Sequence, residues 1–122
     1  MPFTLQQLIR ALRAANPALV VRYGFGAPMS FRSDYSELAF EPRGNVTVAE
    51  MLAFAEQALE ATFEGYKGGF FTMHEYSPVW IAEYGSSTGD GIGPTLLAYM
   101  LGTTPEEMRE IYYEPQPTNG PA

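Results

Sequence analysis

The chain contains no cysteine. That excludes a disulfide framework, a thiolate-ligated zinc and a cysteine nucleophile, and it fits a reducing compartment. Histidine is almost as scarce. His74 is the only one, so a metal site would have to rest on carboxylates, and no pair of acids falls at a recognised ligand spacing. Basic residues are also few, seven against fourteen acids, for a formal charge of −7. A groove for long nucleic acid needs many cations on one face to displace counterions, and this chain has too few. A small anionic ligand is a different matter, because two or three arginines and some backbone N–H groups suffice. No apolar run is long enough to span a bilayer. The stretch from Met1 to Gln7 lacks the basic start and apolar core of a secretory signal, so a cytosolic protein without a membrane partner is expected. Asn45-Val46-Thr47 matches a glycosylation sequon and is expected to stay unmodified there.

What is present is enough apolar material for one domain. Of 122 residues, 46% are hydrophobic, including eight Phe and eight Tyr. This length suits a single folding unit and is short for two. Thr4 followed by Gln7 reads as a capping box, and Leu5, Leu8, Ile9 and Leu12 recur at helical spacing until Asn16-Pro17. Ala18 to Tyr23 reads as a short strand, and Gly24-Phe25-Gly26-Ala27-Pro28 as a turn. That turn carries a Gly-x-Gly pair, but the third glycine of a dinucleotide fingerprint is replaced by Met29 and no helical pattern follows. Ser36 to Phe40 reads as a second strand, ended by Glu41-Pro42-Arg43-Gly44-Asn45.

Thr47 with Glu50 forms a second capping box. The helix it opens is expected to carry Met51, Leu52, Ala55, Leu59 and Phe63 on one face, with Gly65 as its stop. Phe70 to Met73 and Val79 to Tyr84 read as strands of a hairpin joined by His74-Glu75-Tyr76-Ser77-Pro78. After a glycine-rich loop, Pro94 to Leu101 is either a helix stopped by Gly102 or, from Ile92 to Tyr99, a further strand. Thr104-Pro105-Glu106-Glu107 opens a last short helix. The expected fold is α+β, with two main helices packed on a small, mostly antiparallel sheet. A single domain is expected over residues 1–115, with a disordered tail at 116–122.

Catalysis requires a nucleophile, a base or a metal with an orienting neighbour, and no such set assembles from the sequence. His74 and Glu75 would point to opposite faces of an extended segment, so His74 reads as a loop or edge residue. A non-enzymatic chain without a cofactor is expected. What stands out is aromatic and glycine density beside isolated cations. Phe31, Arg32 and Tyr35 lie among hydroxyls, and Tyr66, Lys67, Phe70 and Phe71 surround Gly68-Gly69. Such groups bind purines and ribose phosphates by stacking and charge-assisted hydrogen bonds. They serve equally well as core aromatics and a surface arginine.

The run Ser30-Phe31-Arg32-Ser33-Asp34-Tyr35-Ser36-Glu37-Leu38-Ala39-Phe40 resembles a Ser-Trp-Arg-Gly-x-Tyr-x-x-Leu-Ala-Ile signature of a bacteriophage family, the first type of Thoeris anti-defence proteins. A second run in the same order carries the likeness further: Phe63 to Gly69, then Met73, Ser77 to Ala82, and Tyr84-Gly85. The resemblance covers roughly Arg22 to Gly93. It implies a non-catalytic sponge that sequesters cyclic ADP-ribose isomers made by a TIR-domain enzyme, acting in the cytoplasm of the infected bacterium. It also implies a homodimer or homohexamer, and some members hold cyclic di- or trinucleotides of CBASS systems at separate sites.

By the same resemblance Arg32 faces ligand phosphate with Tyr35 nearby, and Phe31 stacks in place of tryptophan. Phe71 and Met73 flank the base, Tyr84 and Ser86 supply hydrogen bonds at a corner, and Arg109 is the late arginine of the pocket. Ser33 stands in place of a glycine, and Glu83 in place of an asparagine. Two other readings compete with the sponge. One is an enzyme that cleaves a cyclic nucleotide signal; the other is a protein that blocks a host defence complex by direct contact.

Overall fold

The computed structural model describes residues 2–30, 38–64, 70–83 and 89–112. Among them the chain runs α1 (Leu5–Ala14), β1 (Val20–Ser30), β2 (Leu38–Thr47), α2 (Val48–Ala58), β3 (Thr62–Glu64), β4 (Phe70–Thr72), β5 (Val79–Ile81), β6 (Asp90–Gly91), α3 (Pro94–Leu101) and α4 (Pro105–Tyr112). The strands form a four-stranded sheet in the order β1-β2-β5-β6 and a separate pair, β3-β4. This is a small α+β domain. Its main sheet is mixed: β2 and β5 run parallel, whereas the β1–β2, β3–β4 and β5–β6 pairs are antiparallel.

Both long helices begin as their sequences dictate. The Thr4 hydroxyl accepts the Gln7 N–H at 3.3 Å, and the Gln7 side chain accepts the Thr4 N–H at 2.9 Å. Thr47 and Glu50 repeat the arrangement at 3.1 and 2.9 Å. Each box satisfies two N–H groups that a helix start leaves without intrahelical partners. α1 buries Leu5, Leu8, Ile9 and Leu12 on one stripe, and α2 buries Met51, Ala55 and Ala58. α3 carries proline in its first turn and ends on Gly102 in the left-handed region at φ 70, which resolves the fork after Gly91 in favour of a helix.

Four sequence expectations are corrected. The segment Gly24 to Pro28 is no turn; it continues β1, and β2 likewise runs through Pro42 and Gly44 to Thr47. The register goes from Phe25↔Pro42 to Pro28↔Phe40, three steps on β1 against two on β2, which is a β-bulge. Proline is tolerated here because no described strand lies where its missing N–H would have donated. β1 is the outer strand, and Pro42 lies beyond the stretch of β2 that pairs with β5.

The remaining two corrections concern α2 and the following strands. α2 stops at Ala58, not at Gly65. Glu60 takes a left-handed backbone at φ 63, its N–H donates to the Met73 carbonyl at 2.8 Å, and Thr62-Phe63 pair with β4 instead. A β-branched and an aromatic residue gain more from that pairing than from another helical turn. Finally, β4 and β5 are not a hairpin. β4 pairs only with β3 among the described strands, whereas β5 inserts beside β2.

The core gathers around Phe25 and Phe40, both fully buried with ring centroids 4.4 Å apart. Leu8, Leu12, Val46, Met51, Met73 and Leu97 join it. At Gly24 a Cβ would lie 2.5 Å from the Val46 side chain and 2.9 Å from the Met51 sulfur, so glycine is what lets α2 close on the β1–β2 ribbon. The N-terminal segment is stitched across the end of the sheet. Phe3 bonds the backbone of Ile92 and Val79, while Leu5 and Gln6 donate to the carbonyls of Ser77 and Glu75.

The second capping box gives the fold an acid-sensitive element. Hydrogen bonds from the Thr47 backbone and then its hydroxyl, assisted by the charge of Arg43, hold the Glu50 carboxyl below the usual glutamate range. Its stabilising contribution is therefore complete above the unfolded glutamate value and is lost as pH falls through the lower folded value. Thr47→Ala is expected to lose about 1 kcal/mol in urea unfolding at neutral pH. Glu50→Gln is expected to flatten the stability–pH curve below about pH 4.3, and an unchanged acid limb would refute the assignment.

Candidate functional site

One cleft brings together two carboxylates, a guanidinium and two phenol rings among the described residues. It has a volume of about 560 Å³ and lies between the β1–β2 ribbon, the exposed end of β5–β6 and α3. The ribbon contributes Tyr23, Gly24, Pro42, Arg43 and Gly44. Ile81, Ala82, Glu83, Gly89 and Asp90 form the second side, and Leu96, Tyr99 and Met100 the third. Its size falls within the range of small-molecule sites.

Each side chain reaches the cleft for a local reason. Tyr23 pairs with Gly44 across the ribbon, a partner with no side chain to cover its ring, and Tyr23 is 60% exposed. Tyr99 projects from the outer face of α3 and is 71% exposed. The Arg22 guanidinium lies over the Tyr23 ring, 5.4 Å from its centroid, so Tyr23 is exposed but already carries a cation on its ring. Asp90 is held opposite Ile81 by the β5–β6 register, and Glu83 follows two residues after Ile81. The Arg43 guanidinium lies over the Phe54 ring at 5.6 Å, so the one cation of the lining is partly engaged with α2. A second cleft, of about 570 Å³, adjoins the first and shares Asp90, Leu96 and Tyr99 with it.

Of the residues singled out from the sequence, Phe31, Arg32, Tyr35, Tyr84 and Ser86 lie outside the described residues. Phe71 pairs through its backbone with Phe63 in the β3–β4 hairpin, and Arg109 lies in α4. Met73 has no exposed surface: it is part of the hydrophobic core, with its backbone bonded to Glu60 and Ala61. A buried position of this kind does not present a side chain to a base in solution. Glu83 lines the cleft.

The topology also fixes where the two motif segments leave the sheet. Residues 31–37 join Ser30 to its cross-strand partner Leu38, and Leu38 pairs with Val79 at the start of β5. Residues 84–88 follow the other end of β5 and join two residues of the cleft lining, Glu83 and Gly89. The exits thus lie at opposite ends of a parallel pair, roughly 13 Å apart at the rise of an extended chain over the four residues from Val79 to Glu83.

His74 is exposed in the loop between β4 and β5, where its Nδ1 accepts the Tyr76 N–H at 3.2 Å. Beside it the Tyr76 hydroxyl, hydrogen-bonded to the Glu75 carboxylate, is pushed above the usual phenol range. Among the described residues no group of three or more His, Asp or Glu is arranged to hold a metal ion, and no helix is long and apolar enough to cross a membrane.

Sequence reasoning missed Tyr23, Arg43, Asp90 and Tyr99. Local cues existed in Tyr23-Gly24 and Arg43-Gly44, where a ring or a guanidinium stands beside a glycine. The convergence of four separate segments was not legible from any of them. No family model, no curated protein and no solved structure matches this chain.

Gly89 is a tight point of the lining. A Cβ there would sit 2.5 Å from the Ile81 carbonyl oxygen and 2.7 Å from the Ala82 Cβ. Gly89→Ala is therefore expected to destabilise the protein by about 1–3 kcal/mol in chemical unfolding. Amide chemical shifts of Ile81, Ala82 and Asp90 should move with it. If stability and those shifts are both unchanged, Gly89 does not hold the cleft side together.

Proposed function

We propose that this protein is a sponge for small cyclic nucleotide signals: it binds cyclic ADP-ribose isomers in the cytoplasm of an infected bacterium and withholds them without cleavage. The observation that carries the reading is the ordered pair of motif runs, Ser30 to Phe40 and Phe63 to Gly85, which resemble those of the first type of Thoeris anti-defence proteins. The cleft supports it through its nucleotide-compatible volume, its two exposed tyrosine rings and its junction at Glu83 and Gly89 with the hydroxyl-rich segment 84–88.

A sponge must hold its ligand tightly enough to starve a receptor. A nanomolar site corresponds to roughly 12 kcal/mol, and a chain with seven basic residues has few charges to commit to it. Assembly as a homodimer or homohexamer would set arginines of two subunits on one ligand and exclude water from it. Cyclic di- or trinucleotides are the second class of ligand to screen. A reading as a direct protein inhibitor is favoured by one observation, the exposure of Val20, Tyr23 and Tyr99, since exposed aromatics are frequent in protein interfaces.

The purified protein incubated with TIR-derived cyclic ADP-ribose isomers is expected to lower free ligand, and heat denaturation to return it intact. Recovery of a product would indicate an enzyme. No depletion by any cyclic nucleotide, together with capture of a host defence protein, would establish the inhibitor reading instead. Arg32→Glu is expected to abolish capture while leaving the circular dichroism spectrum and melting temperature unchanged. Full capture by that variant would mean the motif has been misread.

A further inference from the structure

We propose that the cleft between the ribbon and α3 receives the uncharged nucleoside end of a nucleotide, and that the Glu83 and Asp90 carboxylates accept hydrogen bonds from its ribose cis-diol. This rests on the nucleotide-binding reading above and adds which part of the ligand lies there.

The lining decides between the two ends of a nucleotide. Among the described residues it carries two carboxylates and one guanidinium, and that guanidinium lies over Phe54, as the neighbouring Arg22 lies over Tyr23. Ionised carboxylates only accept hydrogen bonds. A pyrophosphate also only accepts, and it carries the same sign of charge, so in this cleft it would meet repulsion and two groups with nothing to receive. A vicinal diol supplies two O–H donors and no charge. A carboxylate bonded to ribose hydroxyls is a recurrent solution in dinucleotide sites for the same reason.

The apolar surface of Leu96 and Met100 and the exposed rings of Tyr99 and, beside Arg22, of Tyr23 suit a base rather than a phosphate chain. Both acids are exposed on the cleft rim. The phosphates of a bound nucleotide then point away from Glu83 and Asp90.

The test uses the whole chain and simple probes. Adenosine is expected to shift the ring resonances of Tyr23 and Tyr99 saturably in NMR titrations. 2′,3′-Dideoxyadenosine is expected to bind about tenfold or more weakly, because a site built to receive hydroxyls is left with unpaired groups when they are missing. Glu83→Gln and Asp90→Asn, both at exposed positions, are expected to weaken adenosine by about tenfold each and to leave the dideoxy compound unaffected.

Several outcomes would overturn the proposal: no saturable response to adenosine, equal binding of the dideoxy compound, or displacement of adenosine from the tyrosines by inorganic pyrophosphate or by putrescine. Capture of cyclic ADP-ribose on the same samples separates the two readings. Capture with tyrosines silent to adenosine removes the cleft assignment alone, whereas a diol-dependent adenosine response without capture removes the sponge alone.

Discussion

Three residues of parallel pairing, Leu38–Phe40 against Val79–Ile81, organise everything else in this small fold. A parallel pair cannot be closed by a tight turn, so the chain between its strands must travel. Here that excursion carries α2 and the β3–β4 hairpin, and its return places β5 in the interior of the sheet. β5 then offers its other edge to β6, and β6 leads directly into α3. The cleft exists because this route brings the far end of the ribbon, the end of β5 and α3 within reach of one another. The same pairing sends residues 31–37 and 84–88 out from opposite ends of the sheet.

Packing on the ribbon follows from what is absent at one position. With hydrogen in place of a side chain at Gly24, Val46 and Met51 reach the strand and α2 sits close. Phe25 and Phe40 fill the space beside that contact, and burial of two such rings supplies several kcal/mol of the driving force. Ser77 shows how a polar residue is accommodated in this interior. Ser77 is buried, yet its hydroxyl accepts the His74 N–H at 3.2 Å and its carbonyl accepts the Leu5 N–H.

Whatever was local in the sequence was legible. Thr4-Gln7 and Thr47-Glu50 named both helix starts because a capping box involves only neighbours four positions wide, and Pro94 with Gly102 bracketed α3 for the same reason. Whatever depended on distant partners was not. Gly24 to Pro28 has turn composition, but an outer strand with a bulge tolerates it. Leu59 and Phe63 continue a helical period, yet β4 draws Thr62-Phe63 into a ladder. Met73 carries a motif position and is nonetheless core. Of the cleft, only Glu83 had been noticed, as a residue out of pattern. Its meaning depends on Asp90 and the two tyrosines, which come from other elements.

The bulge in β1 has a consequence for the protein as a solute. β1 is the outer strand of the main sheet and eleven residues long. A straight strand of that length would expose a row of free N–H and C=O groups, a template on which another molecule can add itself. The extra residue between Phe25 and Pro28 puts that row out of step, and Pro28 removes one of its donors. What remains is two short stretches of mismatched phase. A strand arriving at this edge therefore finds no continuous eleven-residue template to extend.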